Sequence, residues 1–290
     1  MTDGARTVRQ RRLARMLRRL REDADLTIEE VAKQLGLSPS TLSRIETAQV
    51  SVRASDLRQL LEIYEIPGAQ RDQLLELAQE ERRQRPWWNK YKDFPAAALP
   101  SVERGAASIL QYSLQLIPGL LQTEAYAREV LKAIPSDAAV DVERRVEFRM
   151  KRQELLTDVQ APRLWVVLDE AVLQRPVGGR QVMDEQLQRL IDAAAPPKVT
   201  IQVLPFRVGV HAGMDGEFTI LSYDDPADPD VVYLETTAGQ HFDESAAVTR
   251  RYNAIFDELR AAALNPAESI RTLVNVQQAL RREPQEPEGS

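Results

Sequence analysis

The chain has 290 residues, 43% of them hydrophobic, no cysteine, and 38 Lys/Arg against 44 Asp/Glu for a formal charge of −6. Those values fit a globular protein of about two domains and exclude disulfides and thiolate metal sites. No uncharged apolar run reaches the roughly 18–20 residues that span a bilayer. The opening MTDGARTVRQRRLARMLRRLR holds scattered arginines without an apolar segment or small-residue cleavage site, so it does not read as a secretory signal. A reducing cytoplasm is the expected location.

Charge is uneven along the chain. Residues 1–85 hold 16 basic and 14 acidic residues, the remainder 22 and 30. Arg6, Arg9, Arg11, Arg12, Arg15, Arg18, Arg19 and Arg21 follow one another with no acid between them. Charges beyond about 8 Å are screened in physiological salt, so a phosphate meets the local face rather than the net charge. Taken alone, such a run is more often a solvated helix face; the motif that follows reverses this.

From Val8 to Asp23, Leu13, Met16, Leu17 and Leu20 fall at helical spacing, predicting a first helix with one buried stripe and an arginine-rich outer face. Thr27 is placed to cap a second helix in a capping box with Glu30. Val31, Ala32 and Leu35 share its inner face, and Gly36 supplies the left-handed turn. Ser38 is expected to cap a third helix with Pro39 at its first position. There Leu42 and Ile45 point to the core, while Ser40, Thr41 and Arg44 point away. A generic helical hairpin would not need the small, turn, cap and proline residues all in register. The spacing suits a helix–turn–helix that presents its last helix to a DNA groove. Arg44 is the candidate for pairing bidentately with guanine O6 and N7; a phosphate contact or a plain surface arginine are the alternatives.

The stretch LTIEEVAKQLGLSPSTLSRIETAQVSVRASDLRQLLEIYEI resembles the phage-repressor-like, or XRE-type, helix–turn–helix domain of five helices over about residues 8–82. The resemblance implies base contacts from Ser40 and Arg44, with Thr41 beside them. It implies phosphate contacts from the start of helix two and from the loop AQVSVRA, where Ser51 and Arg53 are donors. An Arg21–Glu46 ion pair linking helices one and three is also implied. Thr27, Ser38 and Arg18 complete the candidate DNA-binding set. Two positions depart from the family: Ile28 stands where a phosphate-clamping Gln is frequent, and Ala48 where glycine is common. Backbone N–H groups at the start of helix two remain available to a phosphate.

Helices four and five are read from SDLRQLLEIYEI and AQRDQLLELAQEERR. The proline- and aromatic-rich QRPWWNKYKDFPAAALPS marks a boundary, giving a first domain at 1–84, a linker at 85–100, a second domain at 101–282 and a disordered tail, EPQEPEGS, at 283–290. Trp87, Trp88 and Tyr91 read either as a ligand-binding aromatic cluster or, preferably, as linker packing. Beyond the boundary, SVERGAASILQYSLQLIP, TEAYAREVLKAI and DVERRVEFRMKRQELLT are expected to be helical. RLWVVLDE is a buried strand, and QVMDEQLQRLIDAAA a helix with Val182, Leu187, Leu190 and Ile191 inward. KVTIQVLPF, GEFTILSY and DVVYLE are further strands, the last two a hairpin. Two long helices close the chain. The fold class is therefore mainly α with α/β: a five-helix DNA-binding domain, then a mixed sheet flanked by helices.

LIPGLLQTEAYAREVL, RMKRQELL, LDEAVLQRPVGG, VMDEQLQRL and YLETTAG resemble a C-terminal domain of actinobacterial XRE regulators, often described as antitoxin-like and encoded beside a small partner protein. This implies a transcription factor with a partner- or ligand-responsive domain and supplies no catalytic residue. His211, His241, Asp169, Glu170, Glu217 and Glu235 are the material for an enzyme reading, yet no metalloprotease, phosphate-loop or nucleophile-elbow spacing joins them. Within IPGLLQTEAY, the Pro118–Gly119 turn with Leu120, Leu121 and Gln122 reads as a partner or ligand surface, or as a turn whose leucines enter the core and whose Thr123 caps a helix. The expectation is a non-enzymatic, dimeric, sequence-specific regulator, a repressor, that binds double-stranded DNA and needs no cofactor, metal or membrane. The alternatives are an antitoxin-like protein that sequesters a small neighbouring partner and autoregulates, and an enzyme with a DNA-targeting domain.

Overall fold

The computed structural model describes residues 8–68, 70–72, 74–75, 87–91, 93–94, 98–133, 141–159, 161–195, 198–225, 228–237 and 239–282, with side chains from Leu13 onward. The chain divides into two units, Met1–Gly105 and Ala106–Ser290. Arg6, the side chains of Arg9, Arg11 and Arg12, residues 69, 73 and 76–83 of the expected fifth helix, and the 283–290 tail lie outside the described residues.

The first unit contains α1 (Val8–Asp23), α2 (Ile28–Leu35), α3 (Pro39–Glu46) and α4 (Ala54–Ile63). Residues 68, 70–72 and 74–75 are helical after Pro67. Helices of eight residues are marginal alone in water, so shared burial must hold these. Leu13 and Leu17, Val31 and Ala32, Leu42 and Ile45, and Leu57, Leu60, Leu61 and Leu74 form one apolar core. Burying a side chain of that size is worth about 1.5–3 kcal/mol. The helices stop at left-handed residues: Asp25 (φ 56°), Gly36 (φ 65°), Ala48 (φ 56°) and Glu65 (φ 51°). After α4, Glu65 N–H donates to the Glu62 carbonyl (3.1 Å) and Ile66 N–H to that of Leu61 (3.0 Å), which satisfies carbonyls the helix leaves open. A short 3₁₀ turn, Trp87–Tyr91, and α5 (Leu99–Glu103) follow. Trp88, Tyr91 and Phe94 are buried, and the Tyr91 and Phe94 rings lie 5.2 Å apart. That is packing rather than an open aromatic site.

The second unit is built on β1 (Ser108–Ser113), β2 (Arg163–Asp169), β3 (Val199–Leu204), β4 (Phe218–Ser222), β5 (Val231–Thr236) and β6 (Gly239–Asp243). They form one mixed sheet in the order β3-β2-β1-β4-β5-β6. β1, β2 and β3 are parallel, with Gln111 opposite Val166 and Val166 opposite Ile201; β4, β5 and β6 run antiparallel from β1 outward. Between β1 and β2 come α6 (Glu124–Ala133) and α7 (Val142–Gln153). Between β2 and β3 lie α8 (Ala171–Gln174) and α9 (Gly179–Ala193), and the chain closes with α10 (Ala246–Ala262) and α11 (Pro266–Arg282). Phe256 and Leu259 of α10 pack on Tyr112, Val167, Phe218, Ile220 and Val232. Trp165 Nε1 donates to Gln202 Oε1 (2.8 Å), and Gln202 Nε2 to the Leu264 carbonyl (2.8 Å), tying sheet to helix end. Arg281 binds Asp184 through both oxygens, joining α11 to α9.

The fold class stands as expected, as does the β4–β5 hairpin, but three local expectations are corrected. The supposed helix over SVERGAASILQYSLQLIP contains a strand at the centre of the sheet. Ile109 and Tyr112, three apart, suggested a helical face; in fact β1 lies between two neighbours and is covered on both sides, so neither period shows. The GQHFD strand was missed because a polar edge strand carries no apolar alternation. In α9, Met183 and Gln186 are buried with Leu187 and Leu190, whereas Val182 and Ile191 are only half-buried. Gln186 goes inward because the segment before α6 needs partners: its amide accepts from Thr123 N–H (2.7 Å) and donates to the Leu121 carbonyl (2.8 Å).

Candidate nucleic-acid interface

The α2–turn–α3 hairpin is built by side chains that satisfy its open backbone groups. Thr27 Oγ1 accepts from Glu30 N–H (3.3 Å) while Glu30 Oε2 accepts from Thr27 N–H (2.8 Å), a complete capping box. Donation from Thr27 N–H, and then from the Thr27 hydroxyl (2.8 Å), holds the Glu30 carboxyl below its usual pKa. Gly36 turns the chain, and Ser38 Oγ accepts from Thr41 N–H (3.2 Å) to start α3, with Pro39 at its first position. α3 then divides cleanly. Leu42, Ile45 and Glu46 are buried, and Pro39, Ser40 and Arg44 are exposed.

The orientation of α3 is set by a buried ion pair. Arg21 Nε donates to Glu46 Oε1 (2.7 Å) and Nη2 to Oε2 (3.0 Å), while Nη1 donates to the Leu26 carbonyl (2.8 Å). Both residues are under a tenth exposed. The fork geometry fixes α1 against α3 as a single contact would not. Its charge also raises the demand on neighbours: the Tyr64 hydroxyl, buried without a hydrogen-bond partner, has its pKa pushed up by lost hydration and then by Glu46.

The candidate residues fall into two groups. Ser40, Arg44 and, half-buried beside them, Thr41 lie on the outer side of α3. Thr27 and Ser38 are caps, so their hydroxyls are engaged; Ser38 Oγ lies 2.8 Å from Thr41 Oγ1 and 3.0 Å from Ser40 Oγ. Ser51 and Arg53 are exposed in the loop before α4, where Arg53 occupies the cap position without accepting a bond from the helix. That leaves the first N–H groups of α4 without a side-chain cap, an anion-attracting feature the sequence signals by putting arginine where an acceptor is usual. Ile28 packs against the core, which explains why it is not a polar clamp. Ala48 accepts the left-handed conformation that glycine takes more cheaply.

The Arg21–Glu46 pair implied by the family resemblance is present, so Arg21 points inward and closes the α1–α3 contact while the other arginines with described side chains stay on the basic face. Arg18 pairs with Glu22 (2.8 Å) and Arg19 reaches Asp23 (4.0 Å), one helical turn on. Exposed pairs of this kind are screened by water and add little, so a phosphate can displace the acid.

Residues 12–74 match a helix-turn-helix domain, which makes this protein a DNA-binding regulator. Residues 96–275, more than half of the chain, match the family described as Domain of unknown function (DUF5753). The chain belongs to the DUF5753 family. No curated protein and no solved structure matches it. No helix of the described residues is long and apolar enough to cross a membrane.

The DUF5753 region brings some of the second-domain candidates together and separates others. His211 Nε2 lies 3.6 Å from Asp169 Oδ2, and its ring stands edge-on to Tyr112 at 6.0 Å. His211 Nδ1 accepts from Gly213 N–H (3.2 Å), and Asp169 Oδ1 from Ala171 N–H (2.9 Å). A Cβ on Gly213 would stand 2.6 Å from Tyr112 Cε1, so only glycine lets this loop close over the ring. Glu170 Oε2 accepts from Phe206 N–H (2.8 Å). Glu235 Oε2 accepts from the Tyr233 hydroxyl (3.0 Å), and lost hydration followed by Glu235 raises the pKa of Glu217. His241 is on the edge strand, 3.6 Å from Asp243. Among the described residues no three His, Asp or Glu side chains converge to hold a metal. In the Pro118–Gln122 turn, Leu120 and Leu121 are buried and Thr123 Oγ1 accepts from Tyr126 N–H (3.2 Å).

Proposed function

We propose that this DUF5753 protein is an XRE-type transcriptional repressor that binds operator DNA as a homodimer, with its second unit receiving a ligand or partner signal. The observation carrying this reading is the division of α3: Leu42, Ile45 and Glu46 inward, Ser40 and Arg44 outward. One helix of eight residues reaches only a few base pairs. Two copies facing half-sites about 34–36 Å apart would give useful affinity. Arg44 is the reader of a guanine, Ser40 and Thr41 its neighbours. Arg53, Ser51, Arg18 and the starts of α2 and α4 serve the phosphates. Footprinting on the DNA upstream of the protein's own gene tests this; a protected pair of half-sites one helical turn apart supports it, and protection without sequence preference counts against it.

The second unit is proposed to be non-enzymatic. Supporting this, the His211 and Asp169 side chains are almost wholly enclosed and already bonded to backbone. An antitoxin-like reading has one observation in its favour: Phe206, Val210 and Met214 are 58%, 89% and 57% exposed within a single loop. Large apolar side chains grouped in this way suit a protein surface. Co-expression with the small protein encoded next to it separates the readings. Formation of a stable complex that Val210→Asp abolishes favours sequestration; absence of a complex leaves the repressor reading.

A further inference from the structure

Residues 205–217, the loop between β3 and β4, hold apolar side chains in water. Phe206, Val210 and Met214 are 58%, 89% and 57% exposed, while Val208 between the first two packs on the core that the sheet shares with α10. The other large apolar side chains exposed among the described residues are Val50 and Val159, elsewhere in the chain. Single exposed apolar residues are ordinary; three within one loop make a patch.

That exposure does not come from slack in the chain. Val208 N–H donates to the Pro205 carbonyl (3.0 Å), Gly209 N–H to that of Phe206 (3.0 Å), and Gly216 N–H to that of Gly213 (3.2 Å). From beneath, Glu170 Oε2 accepts from Phe206 N–H (2.8 Å), His211 lies 3.6 Å from Asp169, and Gly213 fits against the Tyr112 ring. A loop fixed in this way has little freedom left to lose, so covering its outer face costs little in ordering.

The loop also carries both signs of charge. Arg207 follows Phe206 and Asp215 follows Met214; both are exposed, and neither forms an ion pair among the described residues. An apolar centre with one free cation and one free anion is complementary to itself. Under a two-fold axis a contact made once is made twice, so Arg207 of each copy can face Asp215 of the other.

We propose that residues 205–217 form the homodimer interface, with Phe206, Val210 and Met214 packing on the same loop of a second copy and Arg207 facing Asp215 across the axis. This deepens the homodimer reading above and rests on it. A standard interface covers about 800 Å² on each partner, so the loop supplies the apolar centre, where binding free energy concentrates, and not the whole area.

The experiment is sedimentation equilibrium of the full chain over a micromolar concentration range, without DNA. The wild type is expected to be a dimer, and Val210→Asp to weaken it at least about thirtyfold. Far-UV circular dichroism of that variant should match the wild type, because Val210 is almost wholly in water. Arg207→Asp and Asp215→Arg are each expected to weaken the dimer about tenfold by setting like charges opposite each other, and the double variant to restore it. A loop merely damaged by substitution would not recover in that way, so failure of the double variant to recover overturns the two-fold pairing. A wild-type monomer overturns the interface, including one that is monomeric alone and complexes the small protein encoded beside it, which would give the loop to that protein. A dimer that Val210→Asp leaves unchanged also overturns it, while the homodimer reading stands with its surface elsewhere. Operator footprinting remains a separate result, since no DNA enters the sedimentation.

Discussion

Replacing Glu46 by Ala tests the idea that a buried ion pair aims α3. The substitution removes two charge-assisted hydrogen bonds of 2.7 and 3.0 Å and leaves Arg21 with the Leu26 carbonyl and a longer, 3.7 Å contact to the exposed Glu22 carboxylate. Stranding one member of a buried pair typically costs about 3–5 kcal/mol, mostly the penalty on the charge left behind. That is a large part of the roughly 5–15 kcal/mol that keeps a domain folded. Peptide-resolved hydrogen exchange should show the loss over residues 13–46, with the second unit's sheet unaffected. Arg21→Met with Glu46→Leu should restore most of the stability, because apolar residues of similar volume fill the site without a charge. If that double variant also keeps full operator affinity, the pair is a packing element alone; if Glu46→Ala costs under about 1 kcal/mol, the stranded-charge argument itself is refuted.

Other outcomes follow from the same structure. Glu65→Gly should stabilise the first unit by about 0.5–1 kcal/mol, because glycine takes φ near 51° without the roughly 1–2 kcal/mol that a Cβ costs there, less its own unfolded-state entropy; urea unfolding measures it. Thr27→Ala should cost about 1 kcal/mol through the lost cap. The cap also carries a pH dependence. Glu30 has a lowered folded pKa, so its contribution is full above the ordinary carboxylate value and is lost as pH falls through the folded one. The stability gap between wild type and Thr27→Ala should therefore narrow on titration from pH 6 to below about 4. Gly213→Ala should destabilise the second unit by about 1–3 kcal/mol, since its Cβ would meet the Tyr112 ring at 2.6 Å and that ring is enclosed; a Tm measurement checks it.

Much of the first unit was legible because its signals are local. Thr27 and Glu30, Gly36, Ser38 and Pro39 each act within four residues, so the sequence order already contains the geometry. The outward set of Ser40, Thr41 and Arg44 followed from the inward set of Leu42 and Ile45. The direction of Arg21 did not follow from the arginine run: its partner is 25 residues away, and only the family resemblance pointed to it. In the second unit the parallel strands β2 and β3 were readable as apolar runs, but β1 was not. Its Ile109, Tyr112 and Ser113 are buried through pairing on both edges, a non-local fact.

The central claim is that the exposed face of α3 reads DNA sequence, and Arg44 is where it is most directly tested. Affinities of wild type and Arg44→Ala should be measured on the footprinted operator and on a random duplex at one salt concentration. A loss of about 1–3 kcal/mol is expected on the operator, confined to discrimination at one base pair per half-site, with the random duplex nearly unchanged. Equal weakening on both duplexes would contradict it, and would make Arg44 a phosphate contact.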